Sequence, residues 1–374
     1  MHRKTRFVCV SDTHAYTPAE AGFKLPAGDV LIHAGDLTNH GSLSELRRTI
    51  DWIAKSDYEV KIIVAGNHDL TLDPTFYARH GTGLQKDHLE DPQECIEAIT
   101  KASSSILYLR HESAVVRLSR PDGPKTVFKV FASPYSPSNG NWAFGYETAD
   151  ADALWGQIPR DTDLVVAHTP PYSHRDNRAT GGLVGCAALR QVLQRVRPKL
   201  AVCGHVHESR GYERVRWISA GETDPAAKDQ VVVVPGVLPS PGSKKQSLVD
   251  LTGKKAPRLD NLWSWAHGNC TTPRMKDRSL VSGSGSGSAT DGNRLAMEKR
   301  QMTEYEGGGD HDDSDHAIRA QAQRQETCIV NAAIMGTSWP HRGGKRFNTP
   351  IVVDLELPMQ KELSLDEDPG YDKQ

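Results

Sequence analysis

Short apolar runs alternate with amphipathic segments along about the first 220 residues of the chain. Five of these runs are rich in β-branched residues and have the length of buried strands, at residues 7–10, 30–32, 61–64, 164–166 and 200–203. Apolar side chains recur at helical spacing in residues 42–52, which start at a serine that can cap a helix, and again in residues 186–196. The pattern therefore predicts strands that alternate with helices.

Three further apolar runs lie between these elements, at residues 106–109, 114–118 and 126–132. We expect them to be antiparallel strands. Together with the helices, they predict an α/β protein in which two sheets pack against each other and helices cover their outer faces. This architecture is a four-layer α/β/β/α sandwich.

The composition of the chain changes at about residue 228, where a long tract rich in glycine, serine and charged residues follows. Such a tract buries too little apolar surface to offset the entropy lost on ordering, so we expect a disordered insertion at about 240–325. Strand character returns at residues 328–335 and 351–357. The prediction is one domain over residues 5–358, interrupted by this insertion and followed by a flexible tail at 359–374.

Polar clusters directly follow the five predicted buried strands. They contain carboxylate, imidazole and amide side chains, which are common ligands of divalent metal ions. The candidate ligands are Asp12, His14, Asp36, Asn67, His168, His205 and His207. Because the carboxyl ends of neighbouring strands meet at one edge of an open α/β sheet, we expect these seven side chains to converge on one crevice.

The seven side chains suffice for two metal sites. The first site would comprise Asp12, His14, Asp36 and His207. The second would share Asp36 and add Asn67, His168 and His205. Two dications, two carboxylates and a bridging hydroxide leave a net charge of about +1, which favours phosphate oxygens. We therefore predict a phosphoesterase in which a water or hydroxide between two divalent ions attacks phosphorus.

Two residues of the third cluster are candidate catalytic groups. His68 is not needed as a ligand and is placed to protonate the departing alkoxide. Asp69 is expected to orient the His68 imidazole or to accept a hydrogen bond behind the ligands.

Three other residues near these clusters have local roles in the prediction. Arg175 would contact a substrate phosphate through its planar fork or, as the more ordinary alternative, form an ion pair. We expect Gly66 and Gly204 to allow tight turns beside the ligands.

The order of the clusters resembles that of the calcineurin-like metallophosphoesterase superfamily, whose blocks are Asp-x-His, Gly-Asp, Gly-Asn-His-Asp/Glu, His and Gly-His-x-His. Every ligand position of these blocks is filled here. The residues at 30–38, 133–135 and 196–208 are similar to the metallophosphoesterase-domain-containing branch, which resembles class III cyclic nucleotide phosphodiesterases. The resemblance implies the α/β/β/α fold, iron, manganese or zinc as the metals, a phosphodiester such as a cyclic nucleotide as the substrate, and a homodimer.

Composition and charge argue against several other classes. The chain has 45 basic and 47 acidic residues and a net charge of −2, which gives no support for a nucleic-acid-binding module or a polybasic membrane anchor. No apolar run approaches the roughly 18 residues of a membrane span. The six cysteines are scattered without Cys-x-x-Cys spacing, which favours a soluble protein in a reducing compartment such as the cytoplasm.

Two alternative functions stay open. A serine/threonine phosphoprotein phosphatase would use the same metal chemistry on a protein substrate. A metal-binding scaffold of low turnover would use its disordered insertion to bind a partner.

Overall fold

The computed structural model describes residues 1–85, 89–218, 231–240, 243, 245–259 and 324–360. The strands are β1 (His2–Val10), β2 (Val30–Ala34), β3 (Val60–Val64), β4 (Ile106–Tyr108), β5 (Glu112–Arg117), β6 (Val127–Ser133), β7 (Ser136–Pro137), β8 (Gly145–Tyr146), β9 (Leu164–Ala167), β10 (Leu200–Cys203), β11 (Gly211–Trp217), β12 (Val231–Pro235), β13 (Ser247–Asp250), β14 (Glu326–Asn331) and β15 (Ile351–Pro358). The α-helices are α1 (Pro18–Ala21), α2 (Leu43–Lys55), α3 (Pro74–Leu84), α4 (Pro92–Thr100), α5 (Ala151–Trp155) and α6 (Ala187–Val196).

The long strands form two mixed sheets. The six-stranded sheet has the order β13-β15-β1-β2-β3-β4, and the seven-stranded sheet has the order β12-β11-β14-β10-β9-β6-β5. Alternate side chains of each strand point to opposite faces, so both sheets have an inner and an outer apolar face. The inner faces pack against each other, as shown by the contact of Phe7 from β1 with Phe128 from β6, whose ring centroids lie 5.5 Å apart.

Helices cover the outer faces of both sheets. On the six-stranded sheet, α2 buries Leu46, Ile50 and Ile53, and it begins at a capping box formed by Ser42 and Glu45. On the seven-stranded sheet, α6 buries an apolar stripe of Leu189, Val192, Leu193 and Val196. The predicted α/β/β/α sandwich is therefore confirmed. Among the described residues, every helix is too short or too polar to cross a membrane.

One strand runs in a different direction from the prediction. Strands β5 and β6 are antiparallel to each other as expected, but β4 pairs with β3 in parallel. The reason is the connection, because α4 returns the chain along the outer face of the sheet before β4 begins. A helical crossover of this kind joins strands that run in the same direction.

Part of the predicted disordered insertion is ordered. Residues 247–250 form β13, which pairs in parallel with β15 at the edge of the six-stranded sheet. Leu251 and Leu259 follow it and are buried in the core between the sheets. The expectation of disorder from about residue 240 is wrong for this segment, since four residues in polar surroundings carry too weak a pattern to be recognised as a strand. Residues 260–323 lie outside the described residues.

The Phe7–Phe128 contact yields a test of the packing between the sheets. Replacing Phe128, which is 1% exposed, with alanine removes an aromatic ring from the core. We expect the free energy of unfolding to fall by about 3–5 kcal/mol, measured by urea denaturation. Val115→Ala is the control, because that side chain on β5 is 51% exposed and should change stability by less than about 0.5 kcal/mol. Similar losses in the two variants would contradict the described core.

Candidate metal centre

The two sheets present their parallel strands with the carboxyl ends at one side of the molecule. The loops after β1, β2 and β3 come from the six-stranded sheet, and the loops after β9 and β10 come from the seven-stranded sheet. All seven predicted ligands lie in these five loops. The fold thus brings together side chains that are as far apart in the chain as residues 12 and 207.

Four of the side chains form the first cluster. One ligand atom from each of Asp12, His14, Asp36 and His207 lies within 4.8 Å of the other three. The Nε2 atoms of His14 and His207 are 3.1 Å apart. Nε2 of His14 lies 3.8 Å from Oδ2 of Asp36, and Nε2 of His207 lies 3.4 Å from Oδ1 of Asp12.

The other three side chains form a second cluster beside the first. Oδ1 of Asn67 lies 3.0 Å from Nε2 of His168 and 2.8 Å from Nδ1 of His205. Oδ1 of Asp36 lies 3.4 Å from Nε2 of His168, while its Oδ2 faces His14 in the first cluster. Asp36 therefore stands between the clusters with one oxygen toward each.

Hydrogen bonds to the outer nitrogens show that the clusters fit cations. Nδ1 of His14, His168 and His207 faces the backbone carbonyl oxygen of Thr38, Ala34 and Thr337 respectively, at 2.9–3.1 Å. A carbonyl oxygen only accepts, so each Nδ1 donates, and in the neutral ring each Nε2 turns a lone pair inward. Lone pairs that face one another and carboxylate oxygens repel unless a positive charge lies between them. Donation of the outer N–H to a carbonyl is also the usual arrangement of metal-binding histidines.

The pKa values of the imidazoles separate into two pairs. Burial lowers the pKa of His14 and of His205 to about 3. Burial also acts to lower the pKa of His168 and His207, but a neighbouring carboxylate outweighs it in each case and raises the pKa to about 9. Without metal, protons therefore occupy the second pair at neutral pH, and a metal ion must displace them.

Several ligand residues have strained backbones. Asp12, His14, Asp36 and His205 have φ angles of 52°, 44°, 53° and 65°, in the left-handed region that residues other than glycine seldom adopt. Such conformations persist only where the surrounding structure enforces them, and they concentrate at functional sites. Here the left-handed backbone angles let the chain turn at the end of each strand, so that the ligand side chain points into the crevice.

Gly66 and Gly204 are required for a reason that differs from the prediction. Neither has a positive φ, so neither is needed for a left-handed turn. A Cβ on Gly66 would lie 2.3 Å from Oδ1 of Asp36, and a Cβ on Gly204 would lie 2.2 Å from Oδ2 of Asp12. Each glycine leaves the space that a candidate ligand occupies.

His68 lies beside the first cluster. Its backbone N–H donates to Oδ1 of Asp36 at 2.9 Å, and its ring Nδ1 donates to the carbonyl oxygen of Asn39 at 2.8 Å. The ring lies against the Trp142 indole, with centroids 4.1 Å apart and planes inclined by 36°. The His68 ring is also nearly perpendicular to the His14 ring, with centroids 4.8 Å apart. These contacts fix the ring and leave Nε2 for other partners.

Asp69 supports the loop after β2 instead of the His68 ring. Its buried carboxylate accepts hydrogen bonds from the backbone N–H groups of Gly66, Leu37 and Thr38 at 2.7–3.1 Å, and from the Thr38 hydroxyl at 2.7 Å. Of the two predicted roles, orienting His68 is wrong, since Nδ1 of that ring bonds to a backbone carbonyl, and accepting hydrogen bonds behind the ligands is the role that the structure shows. Asp69 instead holds two ligand-bearing loops together.

Asn331 stabilises the loop that carries His205 and His207. The buried amide of Asn331 donates to the carbonyl oxygens of Gly204 and Val206, at 3.2 and 2.9 Å. The role of Asn331 was not predicted, because a single asparagine after a strand has no distinctive pattern. Arg175 forms an ion pair with Glu213 at 3.1 Å, which confirms the second of the two roles considered for it.

Comparison with known proteins points to one family. A family model described as calcineurin-like phosphoesterase matches residues 5–209. Metallophosphoesterase domain-containing protein 1 of Homo sapiens is 36% identical over 216 residues, which cover 55% of this chain and 62% of that protein. A protein of Emericella nidulans named probable rhamnogalacturonate lyase C is 42% identical over 214 residues, or 57% of this chain and 18% of that protein.

The chain thus spans less than two thirds of the length of these relatives. A solved structure described as GAP50, the anchor in the inner membrane complex of Plasmodium, is 16% identical, covers 57% of this chain and 68% of that chain, and has a TM-score of 0.31. This score is too low to bear on the fold.

The raised pKa values of His168 and His207 yield a prediction about metal binding. Because both rings hold a proton below about pH 9, a metal ion must release these protons when it binds, and its apparent affinity should rise with pH. We expect up to about a tenfold gain per pH unit for each proton released. Calorimetric titration of the metal-free protein with Mn²⁺, in buffers of different ionisation enthalpy, measures both quantities.

Exposed His40 provides the matched control for this experiment. His40→Ala should leave proton release unchanged, whereas His168→Ala should reduce it. Binding that is independent of pH in the wild-type protein would contradict the assignment.

Proposed function

Because the chain belongs to the calcineurin-like phosphoesterase family, we propose that it is a metal-dependent phosphodiesterase. The observation that carries the proposal is the position of Asp36, whose two carboxylate oxygens face two separate groups of nitrogen and oxygen donors. Membership of the family indicates a hydrolase of phosphoester bonds. The diester as the preferred substrate is our inference.

The donor set suits two divalent ions. Asp12, His14, Asp36 and His207 would hold one, and Asp36, Asn67, His168 and His205 would hold the other. When bound, such a pair supplies Lewis acidity toward phosphate oxygens and lowers the pKa of water. We infer manganese, iron or zinc, since mixed imidazole and carboxylate sets suit these metals.

His68 would provide the proton that the leaving group needs. A leaving alkoxide must gain a proton. Because Nδ1 of His68 donates its hydrogen to the carbonyl oxygen of Asn39, the proton for the alkoxide would come from Nε2 of the imidazolium form of this ring. Contacts with Trp142 and His14 hold the ring in place, so that little ordering is needed when the substrate binds.

A diester is favoured over a monoester by charge. The ligand set leaves a net charge of about +1, which matches the single negative charge of a diester. A monoester dianion would need a further cation at the reacting phosphate, and Arg175, the arginine closest in sequence to His168, is engaged by Glu213.

The first test is metal-dependent turnover of bis-p-nitrophenyl phosphate. With Mn²⁺, the wild-type protein should release p-nitrophenolate, and Asp36→Asn or Asn67→Ala should lower kcat/KM by at least about a hundredfold. Asp122→Asn is the control, because this exposed aspartate lies in the turn between β5 and β6 at the other end of the sheet. Equal turnover in Asp36→Asn and the wild type would refute the proposed function.

The role of His68 is tested by changing the leaving group. A nitrophenolate leaves without a proton, whereas the alkoxide released from a cyclic nucleotide needs one. We expect His68→Ala to lower kcat for a cyclic nucleotide by about a hundredfold or more, and for bis-p-nitrophenyl phosphate by less than about tenfold. Equal losses on both substrates would assign His68 a structural role instead.

The same preparations separate a phosphodiesterase from a phosphoprotein phosphatase. The wild-type protein should hydrolyse a cyclic nucleotide with a higher kcat/KM than a phosphoserine peptide, because a diester better matches the charge of the site. The reverse preference, measured with both substrates under the same metal loading, would favour the phosphatase.

A further inference from the structure

We propose that the basic hairpin, residues 335–348, forms a second substrate-binding site beside the metal centre. It would bind the part of a nucleotide-containing diester that lies beyond the scissile phosphate, by stacking on an aromatic base and pairing with an additional phosphate. The inference rests on the proposed function and specifies its substrate class.

The first end of the basic hairpin is attached to the metal centre itself. The carbonyl oxygen of Thr337 accepts a hydrogen bond from Nδ1 of His207 at 3.0 Å. The backbone N–H of Ser338 donates to Glu208, the residue after His207, at 3.1 Å. The start of the hairpin thus lies directly behind one of the candidate ligands.

The returning end of the basic hairpin is attached to the loop of His14. Phe347 packs on Tyr16, two residues after His14, with ring centroids 4.9 Å apart. Nζ of Lys345 lies 4.9 Å above the same tyrosine ring and donates to its hydroxyl at 2.5 Å. The two ends of the basic hairpin therefore connect the loops that carry His14 and His207.

The backbone of the basic hairpin is held in register across its two sides. The N–H of Gly336 donates to the carbonyl oxygen of Arg346 at 2.7 Å, and the N–H of Asn348 donates to that of Ile334 at 2.7 Å. Met335 and Phe347 are paired as an antiparallel bridge. The hairpin is therefore a preformed feature, which reduces the entropy lost when a ligand binds.

The sequence of the basic hairpin carries a net positive charge. Between residues 335 and 348 the sequence contains Arg342, Lys345 and Arg346 but no aspartate or glutamate. Arg342 and Arg346 are exposed, and neither forms an ion pair in the part of the chain that the structure describes. The metal centre already balances the scissile diester, so these guanidinium groups are available for a second anionic group.

An exposed aromatic ring accompanies these cations. Trp339 is 85% exposed, which is unusual for so large an apolar side chain. It is two residues from Thr337, so its Cα lies at most about 7 Å from that of Thr337. Its ring is nearly perpendicular to the His341 imidazole, with centroids 6.1 Å apart, and Nδ1 of His341 lies 3.1 Å from the Thr337 hydroxyl. The indole face is free to stack on a nucleotide base.

Both features together identify the ligand class. An exposed indole can stack on any nucleotide base, and guanidinium groups recognise phosphate. A nucleotide diester with a further phosphate has both groups on one molecule. Exposed tryptophan and arginine also occur where proteins contact anionic membranes, and the experiment includes this outcome.

The experiment compares three substrates of the 374-residue, Mn²⁺-loaded protein. Bis-p-nitrophenyl phosphate has neither a base nor an additional phosphate, the dinucleotide ApA adds bases, and pApA adds a terminal phosphate. We expect the wild-type kcat/KM for pApA to exceed that for ApA by about three- to tenfold, as for a partly exposed charge pair.

Two variants test the roles of the arginines and of Trp339 in the basic hairpin separately. The double variant Arg342→Gln with Arg346→Gln should lose the preference for pApA and keep its turnover of ApA and bis-p-nitrophenyl phosphate. Trp339→Ala should lower kcat/KM for both dinucleotides by about fivefold or more, and for bis-p-nitrophenyl phosphate by less, because its single rings offer a smaller stacking face than adenine. Arg117→Gln, an exposed arginine on β5, is the matched control and should change none of the three.

Each outcome decides between the proposals. Turnover of bis-p-nitrophenyl phosphate with no preference for pApA, or a preference that survives the double variant, would overturn the role of the basic hairpin and leave the proposed function standing. No metal-dependent turnover of any substrate would instead refute the proposed function. Arginine-dependent binding to vesicles of phosphatidylserine and phosphatidylcholine, with no effect on dinucleotide turnover, would identify a membrane-contacting hairpin and overturn the nucleotide site.

Discussion

The shared carboxylate of Asp36 is the constraint on which the rest of the site depends. Its oxygens face His14 on one side and His168 on the other, so the loops from two different sheets must approach within hydrogen-bonding distance. That approach leaves no space for a Cβ at Gly66 or Gly204, and it imposes left-handed backbone angles on Asp36 and other ligand residues. The two-sheet core provides the rigidity that keeps such strain in place.

Much of the fold could be predicted because the strands of a doubly covered sheet are continuous apolar runs. The five strands before the ligand loops are such runs, helices α2 and α6 have apolar residues at helical spacing, and all seven elements occur in the structure. The direction of β4 could not be predicted from its own three residues, since it depends on the path of α4 on the sheet. Strand β13 was missed because an edge strand of four residues gains its stability from its neighbour β15.

The candidate site was likewise predictable from the sequence only in part. Ligand types and their order were visible in the sequence, because a two-metal site needs particular donors at the ends of strands. The supporting contacts were not visible. The carbonyl oxygens that orient the imidazoles belong to residues of any type, and Asp69 bonds to backbone groups that no side-chain pattern reveals. The basic hairpin escaped notice because a net charge of −2 over the whole chain conceals a local concentration of cations beside the site.

The most direct test of the account is diffraction from crystals grown with Mn²⁺, using the anomalous signal of the metal. We expect two peaks on either side of the Asp36 carboxylate, about 3.5–4 Å apart, one beside His14 and His207 and the other beside Asn67 and His168. A single peak out of contact with Asp36 would contradict the proposed two-metal centre. So would the absence of any peak in this crevice when Mn²⁺ is bound at other positions on the protein.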